Sequence, residues 1–208
     1  MKGIFRFDSP VMRFFPRVAD LMALNAITLL CMVPLVTIGA SLTGMHHVLL
    51  TMVQDREGPI VRSYWHAFRE NFGQSTVLWL IMAAVGCGLG LDLRIFRASP
   101  GLFSAVLRVV LGALSIFWYL TFLYVFPLQA RFVNQTRKTL KNALLMSIAA
   151  FPRTLGMLAA GVIPFLLMWY WGLGCLPLLL LLGVSGPGYL SALLYTPYLK
   201  RFEQNQEE

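Results

Sequence analysis

The chain has 208 residues, 58% of them hydrophobic and only 12% charged, with a mean hydropathy of +0.69. Soluble domains run at roughly 45–50% apolar and 25% charged, and a soluble core of this length cannot hide the excess. The net charge of +8 and pI near 9.8 raise nucleic acid as a partner, but such proteins collect their basic residues on one polar face. Here fourteen of the seventeen Lys and Arg residues fall in four patches, at 2–17, 56–69, 131–153 and 200–201, separated by long apolar runs. Cytoplasmic loops retain basic residues and hydrocarbon excludes them, so the pattern reads as a multi-pass membrane protein and not a nucleic-acid binder. The partner it implies is the lipid bilayer, with anionic headgroups at the basic patches.

Residues 1–17 interleave Phe5, Phe7, Phe14 and Phe15 with Arg, a composition suited to the headgroup layer. The apolar stretch that follows lacks a small-residue cleavage site, so 18–33 is expected to be retained as a membrane segment. A hydropathy window then gives five strong candidates, near 18–45, 74–93, 102–126, 154–171 and 173–196. Five crossings would place seven basic residues on one side and ten on the other, which leaves the orientation undecided. The first apolar region is interrupted by Pro34-Leu-Val-Thr-Ile-Gly39, where Pro removes a backbone donor and Gly permits a turn. Dividing it into helices over 18–33 and 39–54 moves all four patches to one side, fourteen against three. Each helix would span only ~24 Å, so the pair either crosses a thinned bilayer or re-enters without crossing.

Two connecting segments read as cytoplasmic amphipathic helices. In 61–72, Val61, Trp65, Phe68 and Phe72 share a helical spacing, with Arg62, His66, Arg69 and Glu70 offset from them; Trp65, Phe68, Arg69 and Phe72 form a candidate partner-docking face. In 134–151, Arg137, Lys138 and Lys141 open the helix, and Leu140, Leu144 and Ile148 recur every fourth residue. Each segment leads into a span, which suggests two related halves of three spans each. Residues 197–208 form a cytoplasmic tail. The fold class expected is therefore all-α: a polytopic bundle of about six membrane segments, the first two short, in one domain with both termini in the cytoplasm.

Several patterns imitate membrane enzymes without their full chemistry. Gly183-Val-Ser-Gly186 matches the motif of a rhomboid protease, but His46, His47 and His66 all precede Ser185 and no histidine base follows it. Gly88-Leu-Gly-Leu-Asp92 has one residue too many for an intramembrane aspartyl protease, and a partner aspartate is missing from the other spans. Neither a metal-binding HExxH nor a phosphate-binding glycine loop is present. The His46-His47 pair points to different faces of a helix, and Cys31, Cys87 and Cys175 lie in apolar runs as expected of buried thiols. The chain is expected to be no enzyme and to hold no metal or cofactor. Ala84 with Gly88, and Gly86 with Gly90, give the small-residue spacing of closely packed membrane helices. Ser185-Gly186-Pro187-Gly188 breaks a run of leucines as Pro34–Gly39 breaks the first region, and paired broken helices mark solute sites in carriers. These six positions, Pro34, Gly39, Ser185, Gly186, Pro187 and Gly188, are the candidate solute or helix-break site.

Leu35-Val-Thr-Ile-Gly-Ala40 after Pro34, Tyr64-Trp65-His-Ala-Phe-Arg-Glu-Asn-Phe72 followed by Gln74-Ser-Thr, and Leu140-Lys-Asn-Ala-Leu144 together resemble the YesL-like family of uncharacterised bacterial integral membrane proteins. The resemblance implies a plasma-membrane protein of Gram-positive-type bacteria, often encoded near genes for carbohydrate uptake and degradation. It implies no established activity and assigns no functional residue. Two functions follow as expectations: an accessory component of a membrane transport complex, or a stand-alone channel or carrier for a small solute.

Overall fold

A computed structural model describes residues 10–56, 58–98, 101–132 and 135–207. Among them the chain forms eight α-helices and no strand: α1 Pro10–Met32, α2 Ile38–Val53, α3 Ile60–Ala98, α4 Leu102–Arg131, α5 Thr136–Ala149, α6 Phe151–Trp171, α7 Leu176–Leu182 and α8 Ser185–Glu207. Short 3-10 turns at Leu35–Thr37 and Gly172–Cys175 link α1 to α2 and α6 to α7. Four of these helices, and α2 taken together with the 3-10 turn before it, are long and apolar enough to cross a membrane, and the pair α7–α8, bent by 45°, supplies a sixth. The chain is an all-α, multi-pass membrane protein. The basic N-terminal stretch falls largely outside the described residues, since 1–9 are not among them.

The first apolar region divides where Pro34 predicts. Pro34 stands extended at φ −75°, ψ 120° and caps the 3-10 turn, and its carbonyl accepts from the Thr37 amide at 3.0 Å and the Thr37 hydroxyl at 2.8 Å. Gly39 does something other than turn the chain. It lies inside α2, buried, and a Cβ there would stand 2.2 Å from the Ser75 carbonyl oxygen and 2.6 Å from Trp79 Cβ. Its missing side chain is what lets α2 press against α3. Far from being peripheral, α2 is the most enclosed of the candidate spans and touches α1, α3, α4 and α8.

The expected separate helix at 61–72 is the opening of α3, which runs unbroken for 39 residues. A lone Gly73 costs a helix only about 1 kcal/mol, and no proline interrupts 60–98. The helix divides the apolar residues of this stretch between core and surface. Tyr64, Ala67, Phe68, Ser75, Leu78 and Met82 are buried, whereas Val61, Trp65 and Phe72 are exposed. α5 shows the same division: Thr139, Ala143, Met146 and Ser147 face inward, while Leu144 and Ile148 face out. Small or hydroxylated side chains make many of these helix contacts, as is common between membrane helices. The two halves diverge here, because α5 and α6 are separated at Ala150 (φ −104°, ψ 36°), with Pro152 in the first turn of α6, whereas α3 has no such break.

α3 and α4 set the membrane level. Residues 71–91 of α3 and 109–130 of α4 carry no charged side chain, and each window is about 30 Å long at 1.5 Å per residue. The windows lie side by side: Gln129 Nε2 donates to Asn71 Oδ1 at 3.1 Å near one end, and Trp118 Nε1 donates to the Met82 carbonyl at 3.0 Å midway. At the far end of α6, Trp169, Tyr170 and Trp171 are all exposed, as in an aromatic belt at the opposite interface.

Candidate functional site

The two helix breaks are closed by side chains of the protein itself. Helix ends leave backbone amides and carbonyls without intrahelical partners, and in a membrane these must be satisfied internally. At the α7–α8 bend they are taken up by one residue of α1, Asn25, which is completely buried. Its Nδ2 donates to the Leu180 carbonyl at 2.7 Å and to the Leu179 carbonyl at 3.4 Å. Its Oδ1 accepts from the amides of Val184 and Ser185, each at 2.9 Å. The Ser185 hydroxyl adds a bond to the Leu21 carbonyl at 2.8 Å. A single carboxamide, with two donors and a two-lone-pair acceptor, thus bridges the last turn of one helix and the first of the next.

The predicted break residues sit around this clamp in different roles. The bend itself falls at Gly183 and Val184, just before the predicted segment, and a Cβ on Gly183 would stand 2.4 Å from the Leu179 carbonyl oxygen. Ser185–Gly188 form the first turn of α8, where Pro187 sacrifices an amide that would be orphaned anyway. A Cβ on Gly188 would meet Leu49 Cδ1 at 2.9 Å and Met45 Cε at 3.1 Å, so this glycine is a packing site for α2. The Pro34–Gly39 break is closed in the same manner, with the Thr37 hydroxyl bonded to the Cys31 carbonyl at 2.5 Å and the Ser41 hydroxyl to the Thr28 carbonyl at 2.9 Å. α1 lies against both breaks, but the two groups of predicted residues do not share one polar cavity. The hollow beside Gly183, Gly186 and Pro187, about 330 Å³, is walled otherwise by apolar side chains such as Ile163, Leu167 and Leu182.

Further buried polar contacts join the helices. Ser41 donates to Thr28, so Tyr64 OH, 2.7 Å away, is the donor to Ser41 Oγ. By the same logic Thr43 donates to the Gly39 carbonyl at 2.9 Å, and Ser75 donates to Thr43 at 2.8 Å. Thr154 Oγ1 donates to the Ser147 carbonyl at 2.9 Å, which makes Tyr124 the donor to Thr154. His46 and His47 point apart: His46 Nδ1 lies 3.1 Å from Tyr195 OH on α8, and His47 Nδ1 donates to the Ala130 carbonyl on α4 at 3.4 Å. Among the described residues no group of three His, Cys, Asp or Glu side chains gathers to hold a metal. The three cysteines are free, but only Cys175 is buried; Cys31 is half-buried and Cys87 exposed on α3.

Residues 21–93, which contain α1 from Leu21, α2 and most of α3, match the family model described as "Protein of unknown function, DUF624". The chain is also 32% identical over 115 residues to "Uncharacterized protein YteU" of Bacillus subtilis (strain 168), a match covering 54% of this chain and 50% of that protein. The YesL-like resemblance holds. The chain spans about half the length of the curated relative it matches, and no solved structure matches it. The family match takes in Asn25, Pro34, Gly39 and Ser75 and stops before Ser185, so it covers the α1 side of the clamp and not the side it closes on.

The candidate docking residues are divided by the fold. Phe68 is buried and stacks on Tyr64 at a centroid distance of 6.1 Å and on Trp65 at 5.1 Å. Trp65 and Phe72 are exposed at its flanks, and the Arg69 guanidinium lies over the Trp65 ring at 5.4 Å. The segment is therefore half core and half surface. Asn25 escaped the sequence reading altogether. The available signal was a lone carboxamide inside the apolar run 18–33, where an unpartnered polar group is expensive.

Proposed function

We propose that this YesL-like chain is a non-enzymatic component of the bacterial plasma membrane, with both termini cytoplasmic, that acts beside a membrane complex for uptake of a sugar or oligosaccharide. The observation that carries the reading is the Asn25 clamp. A carrier built on broken helices offers freed backbone groups to its solute, whereas the groups freed at Leu180, Val184 and Ser185 are already engaged by Asn25. That supports a structural role for the bend over a stand-alone carrier. The link to carbohydrate uptake comes from the family resemblance. The exposed cations Arg137, Lys138 and Lys141 open α5, and this short helix, which Thr139 joins to Gln129 near the end of α4 at 3.3 Å, is the proposed cytoplasmic docking element.

The first hairpin is proposed to be re-entrant. Gly39 at its tip packs on Ser75 and Trp79, early in the charge-free window of α3, and α3 continues from there to Ala98. Isolation of the protein from its native membrane in mild detergent tests the function directly. The expected result is co-purification with a solute-uptake complex, reduced by an Arg137→Gln/Lys138→Gln/Lys141→Gln variant, and no saccharide flux in liposomes holding this protein alone. Saccharide flux in those liposomes overturns the accessory reading in favour of a carrier.

A further inference from the structure

A hollow of about 780 Å³ opens between the second half of α1 and the first turns of α3. Its α1 wall is apolar, formed by Ile27, Leu30 and Cys31, and its α3 wall carries Arg62, Trp65 and Arg69 on one helical face. These α3 positions stand three and four residues apart, so an arginine lies on either side of the tryptophan along one helical face. Arg69 is held over the Trp65 ring, and Trp65 is in turn stacked on Phe68 with the ring planes only 4° apart. The one acidic residue at the rim, Glu70, lies 3.3 Å from His66, and the two arginines outnumber it among the residues lining the hollow. Leu30 in this wall is itself strongly exposed, as are Val33 and Leu35 just beyond it toward the hairpin tip.

We propose that this hollow seats one anionic phospholipid, its phosphodiester between Arg62 and Arg69 and its acyl chains along Leu30, Val33 and Leu35. The arrangement has the order such a lipid requires: cations and an indole at headgroup level, then bare apolar surface continuing into the membrane. Arginine presents several donors in a planar fork, which suits phosphate oxygens. Arg62 and Arg69 precede the charge-free window of α3 at 71–91 and so stand at headgroup level when the first hairpin is re-entrant. The site requires only a membrane-embedded chain, and it stands whether or not the protein serves sugar uptake.

Native mass spectrometry of the full chain in mild detergent, titrated with phosphatidylglycerol or phosphatidylcholine of identical acyl chains, tests the proposal. The expected result is one phosphatidylglycerol bound about tenfold or more tightly than phosphatidylcholine, given two cations at the headgroup. Arg62→Gln/Arg69→Gln should abolish that preference, Arg62→Lys/Arg69→Lys should keep much of it, and Arg94→Gln/Arg97→Gln at the other end of α3 should leave it intact. A second route leaves the arginines untouched: in a Cys87→Ser/Cys175→Ser background, a bulky maleimide on Cys31 should displace the bound lipid. Equal affinity for the two lipids, undiminished preference in the double Gln variant, or equally tight binding of soluble glycerol phosphate would each overturn the proposal.

Discussion

Replacing Asn25 with alanine should loosen the last span more than any other single truncation of α1. Asn25 lies in α1, while the groups it satisfies belong to α7 and α8, more than 150 residues along the chain. Removal orphans the amides of Val184 and Ser185 and the carbonyl of Leu180; the Leu179 carbonyl keeps the Gly183 amide at 2.8 Å. An unsatisfied buried backbone group costs about 1–3 kcal/mol in water-soluble proteins. Polar contacts between membrane helices measure nearer ~0.6 kcal/mol, because the unfolded state in a micelle finds substitutes. Three orphaned groups therefore give about 2–4 kcal/mol for Asn25→Ala. Asn25→Asp should fall in the same range for a different reason, since it keeps the acceptor for both amides but turns a carboxylate toward the Leu180 carbonyl. Equilibrium unfolding in mixed micelles titrated with denaturing detergent and followed by circular dichroism gives the magnitude. Hydrogen exchange over 176–186 gives the location, and it should accelerate there before it does so in α3 or α4. A loss below about 0.5 kcal/mol, with unchanged exchange at the bend, would refute the clamp, since even one orphaned group costs more than that.

The glycines supply two sharper contrasts. Gly39→Ala drives a Cβ to 2.2 Å from the Ser75 carbonyl, and because backbone cannot yield as a side chain can, a loss of about 1–3 kcal/mol is expected in the same micelle assay. Gly86→Ala places a Cβ 2.4 Å from Trp118 Cζ2, whereas Gly88 and Gly90 face open space. Gly86→Ala should destabilise by about 1–3 kcal/mol and weaken the Trp118 bond to Met82, read by Trp fluorescence. Gly88→Ala should be neutral or slightly stabilising, since alanine favours helix; equal effects at 86 and 88 would contradict the α3–α4 packing.

The elements themselves were legible because their signals are strong and local. Pro34 divided the first apolar region, charge placement made sense of that division, and long apolar runs fell on α3, α4, α6 and the bent α7–α8 pair. Helix faces were legible only in part. The spacing of Val61, Trp65, Phe68 and Phe72 marked one candidate docking face, but Phe68 turns inward beside Tyr64 and Ala67 while Trp65 and Phe72 stay exposed. Spacing marks an apolar stripe and does not say which of its members the neighbouring helices cover. The small-residue spacing on α3 showed a related ambiguity: of Gly86, Gly88 and Gly90, only Gly86 meets a neighbour within 4 Å, because the helix periodicity alone does not say where the partner's tryptophan arrives. The break near 183 was visible from composition, but its closure was not. Asn25 is remote in sequence, and nothing local says which turn a buried carboxamide will reach.

The account rests most heavily on α1 and α2 returning the chain to the side from which it started. Reporter fusions active only in the cytoplasm or only outside it, placed after residues 60, 97, 138 and 205, measure this directly. Positions 60, 138 and 205 are expected to be cytoplasmic and 97 external. An external reading at residue 60 would contradict the hairpin, and with it the orientation of α3, the re-entrant tip and the placement of the basic patches on one side.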